Sequence, residues 1–242
     1  SVRNEVESLP GDADAFMEWF EALRQCGPGQ GDSLFEWLAA DATIDEMRWF
    51  LEQEVAGEAG FDDLVALTQV RLPAQAKLEL ARNYWDEMGR GRAARSHGVL
   101  LDNCIAELWL EPVIETTAWE SLALGNLMVG MATNRRYTYH SLGALGVVEL
   151  TAPTRVSKVD EGLKRLGISR EARSYFTLHA TLDQHHSREW NREVIRPLVQ
   201  SDPGLGRSMA EGALMRLAAG ARCFDRYRRA LLPSQYPSAA SS

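Results

Sequence analysis

Apolar residues recur at intervals of three and four along almost the whole chain, and two-residue alternation is scarce, which restricts the sequence to an all-α fold. Phe16, Trp19, Phe20 and Leu23 set this pattern in a segment from Asp14 to Gln25 that Gly27-Pro28-Gly29 closes. A short apolar-faced segment follows over Asp32 to Ala40. Thr43, with Glu46 three residues on, forms a capping box ahead of Met47, Trp49, Phe50 and Leu51. Pro73 opens another helix that runs through Leu78, Leu80, Tyr84 and Trp85 to the glycines Gly89 and Gly91. Further helices are predicted over 93–110, 117–131, 137–150, 156–166, 169–196 and 206–232, with Pro112 and Pro153 as breaks. The 117–131 stretch carries only Glu120 as a charge and reads as a central helix buried on most sides. Together these segments predict a compact bundle of roughly seven to nine helices.

A chain of 242 residues buries enough surface to hold a core without disulfides or a structural metal. Residues 1–232 read as one helical domain, and 233–242, made of Pro, Ser, Ala, Gln and Tyr, as a flexible tail. The net charge of −8 and the lack of any basic patch interleaved with aromatics argue against a nucleic-acid partner. No apolar run approaches membrane-spanning length, and the acidic opening residues are unlike a signal core. Cys26, Cys104 and Cys223 form no CxxC pair and read as reduced thiols, so a cytoplasmic location is expected.

Three of the five histidines fall between His179 and His186. On a helix, His179, Asp183 and His186 are separated by four and then three residues and stand on one face, while His185 points elsewhere. Two imidazoles and a carboxylate suit iron, manganese or zinc, and a site without thiolate is a poor home for copper(I) or an iron–sulfur cluster. A centre of two metals needs about six ligands from facing helices, so the remaining donors are sought among ionisable residues inside apolar runs.

Glu149 follows Leu142-Gly143-Ala144-Leu145-Gly146-Val147-Val148 and is the strongest such residue, either as a ligand or in a salt bridge with Arg155. Glu87 and His97 flank the glycine-broken Asp86-Glu87-Met88-Gly89-Arg90-Gly91. Taken alone, Glu87 could equally be an acidic turn residue and His97 a core histidine. Glu54 is either an additional ligand or a solvated neighbour of Glu52.

These residues carry a resemblance. Glu87 followed ten positions later by His97, then Glu149, then the set His179, Asp183 and His186, resembles the haem-oxygenase-like diiron oxidases and oxygenases over about residues 40 to 225. The resemblance implies the compact haem-oxygenase-like bundle as the fold. It also implies two iron ions held by Glu87, His97, Glu149, His179, Asp183 and His186, with Glu54 as a further ligand from an earlier helix. In this assignment Glu87, Glu149 and Asp183 are the catalytic carboxylates and the histidines anchor the ions. Haem oxygenases proper bind haem through a histidine near the beginning of the chain, and this chain has none before His97.

The resemblance further implies a dioxygen-activating enzyme with dioxygen as co-substrate and an external electron donor, such as a reductase, as a partner. The expected reaction is N-oxygenation or oxidative C–C cleavage of a small amine or amino acid. Decarboxylation or desaturation of a medium-chain fatty acid is the alternative. Arg135 and Arg136 are candidates to grip a substrate carboxylate, and Leu122 to Thr138 with the late helix are expected to wall the pocket. A hydrolytic metal centre and a non-enzymatic helical interaction domain are the competing readings, and a monomer or homodimer is expected.

Overall fold

The helices begin where the sequence supplies caps. In the computed structural model, which describes residues 2–7, 9, 11–57 and 60–233, Asp12 accepts a hydrogen bond from the Ala15 amide and opens α2 (Ala13–Cys26), after a short α1 (Val2–Glu7). Asp32 accepts from the Leu34 amide and opens α3 (Ser33–Ala40). The Thr43–Glu46 capping box forms as expected at α4 (Ile44–Gly57): the Thr43 amide donates to Glu46 Oε2 at 2.8 Å and the Glu46 amide to Thr43 Oγ1 at 3.4 Å. The order continues with α5 (Phe61–Thr68), α6 (Ala74–Glu87), α7 (His97–Leu108), α8 (Trp119–Thr133), α9 (Thr138–Arg165), α10 (Ser174–Trp190), α11 (Arg196–Ser201) and α12 (Pro203–Leu231), and no strand occurs among the described residues. α1, α5 and α11 are not among the predicted helices, although Phe61, Leu64, Val65 and Thr68 of α5 stand at helical spacing. The tail expected at 233–242 lies, from residue 234, outside the described residues.

α9 is the central rod, packing most extensively on α12 and α10 and then on α3. Its continuity corrects the break expected at Pro153. A proline inside a helix forfeits one ladder bond, here the one to the Glu149 carbonyl, at a cost of about 3 kcal/mol, and burial on several sides outweighs it. Glycines let the rods touch: a Cβ at Gly143 would stand 1.8 Å from the Met209 carbonyl oxygen of α12, and one at Gly212 would stand 1.9 Å from that of His140. Buried side chains from Val6 to Tyr227 form one contiguous cluster around this contact.

Two other expectations are revised. α10 starts at Ser174 because Ser169 is engaged elsewhere: its amide donates to Glu107 at 2.7 Å and its hydroxyl accepts from the Ala172 amide at 3.1 Å, closing a separate turn. At its far end α10 passes through a π-helical turn, Asn191–Ile195, into α11, whose Pro197 cannot donate to the Glu193 carbonyl. α8 is buried on one face only, with Trp119 and Val129 exposed, because α4, α5, α9 and α12 cover a single side of it.

Candidate metal centre

Two local devices bring the ionisable residues together. The first aligns α9 with α10. Gly146 has no side chain, so the Trp190 indole lies directly on it, and Trp190 Nε1 donates to the Leu142 carbonyl at 3.2 Å. The helices run antiparallel here, so Glu149, three residues beyond Gly146, meets His186, four residues before Trp190. The second device is the connection between α6 and α7. Gly89, Arg90 and Gly91 all have positive φ, and a Cβ at Gly89 would stand 2.5 Å from the Arg95 carbonyl carbon. This tight reversal sets Glu87, the last residue of α6, against His97, the first of α7.

The donors form two overlapping groups. Ligand-capable atoms of Glu87, His97 and His179 lie within 4.8 Å of one another, as do those of Glu87, Glu149 and His186. Glu87 is common to both. His97 Nδ1 rests against Glu87 Oε2, and the His97 and His179 rings are 4.4 Å apart at 73°. His186 Nδ1 is 3.5 Å from Glu149 Oε1 and 3.9 Å from Glu87 Oε1. Each late histidine is oriented by its other nitrogen: His179 Nδ1 donates to the Tyr175 carbonyl at 2.7 Å, and His186 Nε2 meets Asp86 Oδ2 at 3.2 Å. Asn83 Nδ2 donates to Glu149 Oε1 at 2.6 Å and holds that carboxylate.

Burial and like charge dominate the electrostatics. Burial pushes the Glu87 carboxyl up to about 8 against the pull of His179, with Glu149 adding to the rise. Burial, then the His186 charge, lowers His97 to about 4, and burial also lowers His179. Asp183 is raised well above the carboxylate range by burial and by Glu149 and Glu87. His186 goes the other way: burial opposes its charge, but Glu149 and Asp86 outweigh it and hold the imidazolium up to about 9.

Asp183 is 3% exposed and lines the same cavity as Glu87, Glu149 and His179, outside the two tight groups. This cavity of about 420 Å³ lies within the range of small-molecule sites. Glu54 lines it too, away from both groups; burial raises its carboxyl, while Arg155, Tyr227 and Arg216 pull it down. Glu149 makes no ion pair with Arg155 among the described residues. His185 is exposed, and His140 pairs with Glu211 at 3.0 Å away from this cavity. Arg135 and Arg136 are exposed and outside the cavity lining, so the structure does not bring them to a substrate bound there; α9 and α12 bring Arg155 and Arg216 instead. Of the Leu122 to Thr138 wall, Leu124 and Met128 reach the cavity.

Asn83, Asp86 and Asp62 were not found from the sequence. Asp62 lines the cavity and its charge acts on both Glu87 and His97. A signal for Asn83 existed: Glu79, Asn83 and Glu87 repeat every four residues and are all buried, a polar stripe on the inner face of α6.

The donor set fits a transition metal. His97 Nε2 and Asp183 Oδ1 are buried without a hydrogen-bond partner among the described residues, and such atoms are costly unless something binds them. Mixed imidazole and carboxylate suit iron, manganese or zinc. The bundle and this internal cluster define a helical metalloprotein candidate of the haem-oxygenase-like fold. The structure is similar to a CADD-like protein of unknown function from Nostoc punctiforme PCC 73102, with a TM-score of 0.68 and 15% identity over 95% of this chain and 99% of that one. It is also similar to a domain of unknown function with a haem oxygenase-like fold from Shewanella denitrificans OS217, with a TM-score of 0.57 and 13% identity over 95% and 94% of the two chains. The chain belongs to the family of iron-containing redox enzymes, whose model matches residues 48–221. In sequence it is 27% identical over 121 residues to a nitrosourea synthase of Streptomyces achromogenes subsp. streptozoticus; the match takes in 48% of this chain and 26% of that protein, so the chain spans about a quarter of this relative. No helix of the described residues is long and apolar enough to cross a membrane.

Proposed function

We propose that the chain is a non-haem diiron enzyme that uses dioxygen to oxidise a small amine or amino acid. The sharing of Glu87 by two donor groups carries this reading, because a dinuclear centre draws adjoining ligand sets from facing helices and Glu87 would belong to both. His97 and His179 would hold one ion and His186 and Glu149 the other, with Asp183 completing the shell. Bound ferrous ions would supply the electrons that reduce dioxygen.

The chain's own residues do the positioning. Tyr175 and Asp86 fix the ring orientations, and Asn83 steadies Glu149. Glu87, Glu149 and Asp183 would be the carboxylates of the centre: Glu87 belongs to both donor groups, Glu149 to the one with His186, and Asp183 Oδ1 has no competing hydrogen bond among the described residues. Phe35, Phe50, Leu51 and Phe176 line the cavity and make much of its wall apolar. The relative's product, a nitrosourea, carries oxidised nitrogen, which favours an amine nitrogen as the atom oxidised. The apolar wall is also compatible with a medium-chain fatty acid as substrate.

Anaerobic titration with ferrous iron tests the centre, and uptake should approach two ions per chain. A panel of amino acids, amines and fatty acids then shows which compound triggers oxygen consumption. One tightly held ion and no oxygen uptake with any compound would sink the proposal. The electron donor, a reductase partner and the oligomeric state are read from the same preparation by donor-dependent turnover and by light scattering.

A further inference from the structure

The cavity has two chemically distinct ends. Glu87, Glu149 and His179, members of the donor groups, mark one; Glu54, on which Arg155 of α9, Tyr227 and Arg216 of α12 act, marks the other, and Asp183, which feels Glu149, Glu87 and Arg155, stands between them. Arg155 lies six residues beyond Glu149 on the same rod, a rise of roughly 9 Å.

We infer that Arg155 and Arg216 form an anion-recognition end of this cavity that takes the carboxylate of the substrate and aims its other end at Glu87, Glu149 and Asp183. The inference rests on the proposed oxidase reading for the identity of the molecule as a substrate. Its physical basis stands on Arg155. A guanidinium keeps its charge and carries five donors in a flat fork that matches a carboxylate. Arg155 uses one of them: Nη1 donates to the neutral Thr151 hydroxyl at 3.2 Å. Its guanidinium carbon lies 5.6 Å from the centroid of the Phe224 ring, a cation–π contact that helps hold the side chain at this end of the cavity. No carboxylate lies within ion-pair distance of Arg155 among the described residues, although Glu54 and Asp183 both act on it from farther away. Arg216 is near enough to repel it, so two cations face one cavity. An incoming carboxylate would engage the open donors of Arg155 in parallel.

Binding to the metal-free full chain tests this without any turnover. Calorimetric titration with hexanoate, 1-hexanol and hexylamine compares three six-carbon molecules with different heads. Hexanoate should bind about tenfold to a hundredfold more tightly than 1-hexanol, the range expected of hydrogen bonds to a charged group, and hexylamine should bind no better than 1-hexanol. Arg155→Gln should remove most of the hexanoate advantage and leave 1-hexanol binding in place, while Arg155→Lys should restore part of it. Equal binding of hexanoate and 1-hexanol by the parent chain overturns the inference, and that comparison stands even if Arg155→Gln does not fold. Unchanged hexanoate binding by a folded Arg155→Gln overturns it as well. A chain that prefers hexanoate yet takes up no ferrous iron refutes the oxidase reading and leaves the anion site standing.

Discussion

Substituting Gly143 by alanine isolates the contact on which the site's scaffold depends. The added Cβ would stand 1.8 Å from the Met209 carbonyl oxygen, and real Cβ contacts are essentially never under 3.0 Å, so α9 and α12 must part by more than an ångström. The obstacle is backbone inside a buried helix and cannot swing aside. Overpacking of this kind costs typically 1–3 kcal/mol and occasionally more, and a rigid neighbour places Gly143→Ala at about 3 kcal/mol. For a chain of this size each kcal/mol moves the midpoint by about 2–4 °C, so Tm should fall by roughly 6–12 °C. Gly130→Ala is the control: the residue is helical, exposed, and has nothing within 4 Å of its added Cβ, so the same chemical change should raise stability by about 0.5–1 kcal/mol. Thermal unfolding followed by circular dichroism on metal-free protein reads both. If Gly143→Ala melts within a degree of the parent, the close approach of the two rods is wrong, and with it the placement of Glu149 and Arg216.

Three further outcomes are expected. Asp86→Ala, which takes away the partner of His186 Nε2, should weaken metal binding by about tenfold to a hundredfold in a competition titration with a coloured chelator, and an unchanged affinity refutes the orienting role. Metal uptake should be steeply pH-dependent, because Glu87 at about 8 and His186 at about 9 are protonated near pH 7 and must lose their protons to become donors. Affinity should therefore rise as pH climbs from 6.5 towards 9, and zinc added in weak buffer at pH 7 should release about two protons per chain from this pair, whereas a flat affinity contradicts the geometry. Cys104 and Cys223 are buried with thiols pushed up to about 12, while Cys26 is exposed, so a thiol-alkylating reagent at pH 8 should label Cys26 alone until the chain unfolds, as peptide mass mapping can verify.

What the sequence made legible depended on whether a signal was local. The capping box at Thr43 and Glu46 and the shared face of His179, Asp183 and His186 are set within one helix turn or two, and periodicity suffices to read them. Pro153 looked like a terminator because its lost ladder bond is visible in sequence, whereas the burial that overrides it comes from α3, α10 and α12. The same blindness separates Arg135 and Arg136 from Arg155 and Arg216. All four are basic residues within or beside helices, and only the continuation of α9 past Pro153 and the packing of α12 beside it show which reach the cavity. Asn83 and Asp86 were missed for a related reason: they touch Glu149 and His186 across 66 and 100 residues of chain.

Pro153 also shapes the mechanics of the centre. The bond it cannot make is the one that would tie down the carbonyl of Glu149, so the turn bearing this carboxylate is missing a rung in the middle of an otherwise stiff rod. Gly146 and Trp190 clamp the rod one turn before that gap, and Gly162 is pressed against the Leu38 carbonyl beyond it. Compliance is thereby confined to the stretch between two fixed points. The fold acts there as a short leaf spring, soft at a residue whose carboxylate would have to travel and rigid on either side.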